Sequence, residues 1–172
     1  EMGNERLKNY IENEHLLPEL KVTFNDITRK GIGVPKPLPA AVKEEVVGIE
    51  EVTFFSHQRF GQFKMTNSDG QENEFTEDRG MVYAQSNLFK MFHWEWIEGD
   101  PTSALDEPNT VVLDSENAEK FFPGESPIGK TIRFNNQTDL IVTGLVKQRP
   151  VTTDFPFEIF ISMPTLEANV DM

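Results

Sequence analysis

The chain reads as an α+β fold, and three observations lead there. Helical stretches are scattered among hairpin-like strands instead of alternating regularly with single strands, which argues against a doubly wound parallel sheet. From Met81 to Val146, apolar clusters alternate with turn residues every six to twelve positions, the spacing of short strands and short helices around one small core. The length of 172 residues is enough to bury a core and suits one domain or two small subdomains, with no internal repeat.

Taken in order, Glu5 to Leu17 is predicted to be a helix with Leu7, Tyr10, Ile11, Glu14 and Leu17 on one side, and Pro18 ends it. Lys21 to Ile27 has a mixed alternation that predicts a strand. Arg29 to Pro39 holds two Gly and three Pro and reads as a loop or linker. Pro37 and Pro39 open a helix whose Leu38, Ala41, Val42, Val46 and Ile49 form one stripe while Lys43, Glu44 and Glu45 point away; that helix should lie on a sheet. Val52 to Met65 is rich in Phe and has a strand composition. It is joined through Asn67-Ser68-Asp69-Gly70 to Glu74 to Tyr83, which predicts a hairpin.

Ser86 or Asn87 should cap a short helix burying Leu88, Phe89, Met91 and Phe92, and Gly99-Asp100-Pro101 breaks the strand after it. Thr102 to Leu105 reads as one helical turn and Thr110 to Leu113 as a buried strand. Asp114 or Ser115 caps a helix over Glu116 to Phe122 that Pro123-Gly124 terminates. Strands follow at Thr131 to Phe134 and Leu140 to Val146. After a loop from Pro150 to Pro156, a last strand spans Phe157 to Ile161, and Ser162 caps a helix entered through Met163-Pro164.

Charge narrows the function classes. Lys and Arg total 16 against 29 Asp and Glu, a formal net charge of −13 that repels phosphate backbones and anionic headgroups, so nucleic acid is not an expected partner. No apolar run approaches the roughly 20 residues needed to span a bilayer, and no basic-then-apolar leader opens the chain, so it is expected to be soluble as it stands. The absence of cysteine rules out disulfides, thiolate metal sites and cysteine nucleophiles. With 14 Phe against 2 Tyr, aromatic packing falls mainly to phenylalanine.

The sharpest chemical motif is Gly124-Glu-Ser-Pro-Ile-Gly129-Lys130-Thr131, which satisfies the phosphate-loop pattern letter for letter. A phosphate cradle needs a strand before the loop and a helix after it, so that backbone N–H groups converge on the anion. Here a helix precedes and a strand-like run follows, and Pro127 removes one donor. The motif therefore reads as a turn into a strand, with Gly129 supplying an unusual backbone angle. His15, His57 and His93 are scattered without metal-ligand spacing. Glu95 and Glu98 flank Trp96 and could form a glycosidase-type pair, but alternation puts Glu95 on the side opposite Trp94 and Trp96. Ser56-His57 and Ser115 lack a nucleophile-elbow pattern. The runs Glu44-Glu45, Glu50-Glu51 and Glu116 to Glu119 read as solvated faces. Phe54, Phe55, Phe60 and Phe63 read first as core and second as an exposed partner-binding face. No catalytic, cofactor-binding or metal-ligating residue is assigned.

Six elements in order resemble the MacB-like periplasmic core domain of FtsX-type ABC transporter permeases. They are the serine-led Asn-Leu-Phe-Lys-Met-Phe helix (Ser86 to Phe92), the turn Glu98 to Pro101, Ala104 to Asn109, Val111 to Phe122, Pro127 to Thr131, and Val142 to Val146. Residues 1 to 35 match poorly, and Gln85 stands where an aspartate is more usual. The resemblance implies a mixed-sheet, porter-like subdomain of β-α-β units over 20–66 plus 140–172, a second small α+β subdomain inserted over 67–139, and an N-terminal arm over 1–19. It treats Pro-Ile-Gly-Lys as structural.

It also implies a non-catalytic extracytoplasmic domain without cofactor, on the periplasmic face of the bacterial inner membrane, that transmits conformational change or contacts substrate or partner. The implied partners are a separate cytoplasmic ATPase subunit, a second permease copy, and a periplasmic adaptor or lipoprotein, with membrane contact only through flanking helices outside this stretch. On that reading Met163 to Met172 is a helix cut short. The crossings near 66 and 139 would be hinges. The alternatives are a small carboxylate-dependent hydrolase and a stand-alone ligand- or adaptor-binding module.

Overall fold

A computed structural model describes residues 19–24, 27–32, 38–66, 70–149 and 155–170, which fall into two compact units, 1–52 and 53–172. The helix expected over Glu5 to Leu17 lies outside the described residues.

In the first unit, β1 (Glu19–Phe24) pairs antiparallel with β2 (Ile27–Ile32), from Glu19 opposite Ile32 to Phe24 opposite Ile27. This corrects the reading of Lys21 to Ile27 as a single strand and shortens the expected loop, since residues 29–32 are strand. The stretch read as one strand therefore spans the end of β1 and the start of β2, which is why its alternation is mixed. Helix α1 (Leu38–Glu45) leaves Ala41 and Val42 half-buried and Lys43, Glu44 and Glu45 exposed, as the stripe predicts. It ends before Gly48, whose φ of +95° stops it ahead of Ile49.

In the second unit, nine described strands form one mixed sheet in the order β3 (Phe55–Gln58), β6 (Met81–Ala84), β11 (Ile159–Ser162), β8 (Thr110–Asp114), β10 (Thr138–Val146), β9 (Thr131–Phe134), β4 (Gly61–Thr66) and β5 (Glu72–Glu77), with β7 (Trp96–Gly99) also paired to β10. The β6–β11 and β8–β10 pairs are parallel and the others antiparallel. The α+β class is therefore observed, built on a mixed sheet. The boundaries expected at 66/67 and 139/140 fall inside this sheet: β4 pairs with β5 across the first, and β10 runs through the second.

Every residue of β6, β8 and β11 is buried, because apolar packing covers both faces of the central strands. On one face Met81, Val111, Leu113 and Ile161 meet Ala118, Phe121 and Phe122 of the α3 (Ser115–Phe121) region and Met163 of α4 (Met163–Val170). On the other face Val82, Val112 and Phe160 meet Leu88 and Phe89 of α2 (Asn87–Phe92), with Trp94 and Leu105. Strand β10 serves both cores. Its register slips by one residue between Val142 and Gly144, so Val142 pairs with Val111 on the first face while Gly144 pairs with Val112 on the second.

The Phe-rich stretch is not one strand. Arg59 and Phe60, both exposed, separate β3 at one edge of the sheet from β4 beside the other edge, so the expected hairpin is β4–β5 while β3 pairs with β6. The sheet curls enough that a Cβ on Gly61 of β4 would lie 2.6 Å from Met81 Sδ of β6, five strands away in the order. Met91, expected in the core, is 40% exposed, because a six-residue helix buries one side only and Leu88 and Phe89 occupy it. Ser86 occupies the N-cap position without a side-chain capping bond. Its Oγ donates instead to Asp106 Oδ1 at 2.7 Å and accepts from the Leu105 N–H at 2.9 Å. Asp114 does cap α3, its Oδ1 accepting from the Asn117 N–H at 2.8 Å.

Candidate functional site

A cleft of about 640 Å³ opens over β4, β9 and the turn that carries Lys130. Alternation in β4 and β9 sends Phe63, Met65, Ile132 and Phe134 to the core and leaves Lys64, Thr131 and Arg133 on the outer side. Register then lines up four charges across four strands: Glu74 of β5 opposite Lys64 of β4, Lys64 opposite Arg133 of β9, and Arg133 opposite Asp139 of β10. Lys64 Nζ lies 3.2 Å from Glu74 and Arg133 Nη1 lies 2.9 Å from Asp139, so each acid holds the cation next to it. The two cations face each other across the middle of the row. Asn136 closes one end, accepting from Arg133 Nη2 through its carbonyl at 3.1 Å and donating to Gln62 Oε1 at 2.6 Å. Lys130 pairs with Glu125 and stands 4.9 Å above the Phe122 ring.

The phosphate-loop letters do not build a phosphate loop. The Gly129 N–H donates to the Val142 carbonyl at 2.8 Å, the Lys130 N–H to Pro127 at 3.0 Å and the Glu125 N–H to Phe122 at 3.1 Å, so the donors of a cradle are spent within the fold. Gly129 has a φ of +78°, the unusual angle expected of it.

The other residues singled out above are dispersed. Glu95 is exposed and paired with Lys147 at 3.1 Å, while Trp94 is buried and Trp96 half-buried, as alternation predicts. Glu98 accepts from Ser126 Oγ at 3.2 Å. His57 is exposed, edge-on to Phe157 at 5.1 Å, and His93 ends α2 in the left-handed region with φ +46°. His15 lies outside the described residues. Ser115 Oγ accepts from the Gln148 N–H at 3.2 Å. Among the described residues, no group of three or more His, Asp or Glu is arranged to hold a metal ion. Of the four phenylalanines, Phe63 is fully buried, Phe54 and Phe55 are partly buried against the two cores, and Phe60 is 56% exposed.

Two acids meet where β8 ends beside β11, one buried and one half-buried, a pairing that sequence reasoning did not bring together. Asp114 is 2% exposed, and its Oδ2 has no hydrogen-bond partner. Its backbone N–H donates to the Glu158 carbonyl at 2.8 Å. Burial pushes the Asp114 carboxyl above the ordinary aspartate range against the opposing Asn117 hydrogen bonds. Burial and then the nearby Asp114 charge push Glu158 up as well. Asp114 was legible as a cap; its depth and its acidic neighbour depend on strand pairing between distant segments.

The profile of a family described as the MacB-like periplasmic core domain matches residues 7–171. Among solved structures, a permease-protein domain from Porphyromonas gingivalis superposes with a TM-score of 0.58 at 20% identity, over 80% of this chain and 56% of that one. The periplasmic region of MacB from Actinobacillus actinomycetemcomitans gives 0.57 at 18%, over 78% and 58%. The extracellular domain of the noncanonic ABC-type transporter YknZ from Gram-positive bacteria gives 0.57 at 16%, over 80% and 66%. The chain thus spans less than two thirds of each of these structures. No curated protein matches it by sequence.

Proposed function

The chain belongs to the family of MacB-like periplasmic core domains, the extracytoplasmic part of ABC-transporter-type permeases of the inner membrane, and from that premise we propose that its work is to transmit conformational change. The observation that carries this reading is the single sheet through residues 53–172, packed with apolar side chains on both faces. Interiors packed in this way respond to force by moving as blocks, because deforming them forfeits many contacts at once. In this proposal the domain makes and breaks no covalent bond. The carboxylates most suggestive of chemistry, Glu95 and Glu98, are engaged at the surface by Lys147 and Ser126.

The partners we propose are a cytoplasmic ATPase subunit, a second permease copy, and an adaptor or lipoprotein on the periplasmic side. Purifying the parent protein from membranes tests the reading. It predicts that an ABC-type ATPase copurifies and that membrane-spanning helices flank this stretch in the parent chain. A parent that fractionates without the membrane and without an ATPase would overturn it.

A further inference from the structure

We propose that the outer face of β4 and β9 binds a phosphate-bearing small ligand, its dianion seated between Lys64 and Arg133. The inference rests on strand register and stands apart from the transport reading. Like charges placed directly opposite on neighbouring strands repel, so a fold gains nothing from setting Lys64 against Arg133. Departures from local rules of this kind are expected where a site is kept for function. The two acids of the row stand on its outer sides, Glu74 beyond Lys64 and Asp139 beyond Arg133, so the two cations are set next to each other at its middle, with Glu72 also lining the cleft.

An Arg offers a planar fork and a Lys a mobile point charge, a combination suited to a phosphate. Lys130 stands in the same cleft as a third cation, tethered by its exposed pair with Glu125, and exposed pairs of that kind are weak enough to exchange. The cleft of about 640 Å³ exceeds a bare phosphate, which leaves room over Thr66 and Phe122 for the body that carries it. The net charge of −13 repels extended anionic surfaces, so a small soluble ligand is favoured over a lipid headgroup.

Calorimetric titration of the chain at low ionic strength with inorganic phosphate and with glycerol phosphate tests this, alongside vesicles of phosphatidylglycerol and of phosphatidylcholine. Glycerol phosphate should bind. K64Q/R133Q should weaken it at least tenfold with little change in melting temperature, because the two exposed ion pairs it removes contribute little to stability. E74Q/D139N, which frees both cations, should tighten it several-fold. Selective binding to phosphatidylglycerol vesicles, lost in K64Q/R133Q, would also support the phosphate site and name a headgroup as the source. Binding unchanged in K64Q/R133Q, no tightening in E74Q/D139N, or no binding of any probe would overturn the proposal. Should the double variant fail to fold, K64Q alone is read against the same outcomes, and amide shifts of the wild-type chain must centre on residues 64 and 133.

Discussion

Asp114 places a carboxylate where the fold can satisfy only one of its oxygens. Oδ1 caps α3, while Oδ2 is buried without a partner beside Glu158, which is itself shifted upward. A carboxyl with a raised folded-state pKa holds its proton more tightly folded than unfolded. Its contribution is therefore most favourable below the ordinary carboxylate values near ~4 and is lost as the pH rises through the raised folded-state value. The Glu116 charge adds to the effect on both groups while its backbone N–H opposes it on Asp114, Asn117 opposes it on both, and Arg79 opposes it on Glu158. Asp114→Asn, which keeps a capping oxygen, and Glu158→Gln should each raise the melting temperature at pH 7 relative to wild type, with the gain shrinking toward pH 4. Equal gains at both pH values would contradict this account. Phe63, fully buried with ring centroids 5.4 Å from Phe121 and 5.1 Å from Phe134, gives a second test. Phe63→Ala should cost about 3–5 kcal/mol, read from the urea midpoint.

At the scale of elements, the bulge in β10 lets one strand serve two cores. Gly144, just past the slip, is closed in: a Cβ there would stand 2.6 Å from the Trp96 ring and 2.9 Å from Val112 Cγ2. Gly144→Ala should therefore destabilise by about 1–3 kcal/mol through overpacking. Denaturation that leaves the midpoint unchanged would mean the ring moves aside freely. Elements whose signals are local were legible from residues alone. The cap at Asp114 is one, and the apolar runs of β8 and β11 and the turn at Gly129 are others. What was not legible depends on contacts between distant segments. Nothing near Phe60 says that β3 and β4 part to opposite sides of the sheet, and Lys64 meets Arg133 only through register. The row of four charges was likewise invisible, since each acid sits on a different strand from its cation.

For the molecule as a whole, the account is mechanical. The second unit is one sheet with packing on both faces, and the boundaries expected near 66 and 139 are spanned by paired strands. Parting the sheet at either boundary would expose ladder hydrogen bonds and core side chains together, so we propose that residues 53–172 travel as one body in the permease cycle. The lack of cysteine in these 172 residues makes the idea accessible to site-directed labelling. Arg59 and Gln137 are exposed and lie between strands, so labels there leave the ladder intact. The most direct measurement is electron–electron distance spectroscopy on the full permease assembled with its ATPase, labelled at Arg59→Cys and Gln137→Cys. The account predicts that the distance between the two labels of one copy stays fixed between nucleotide-free and ATP-bound states, while the distance between Gln137 labels on two copies changes. A pair of copies that keeps one separation in both states, or a label pair within one copy that shifts, would contradict it.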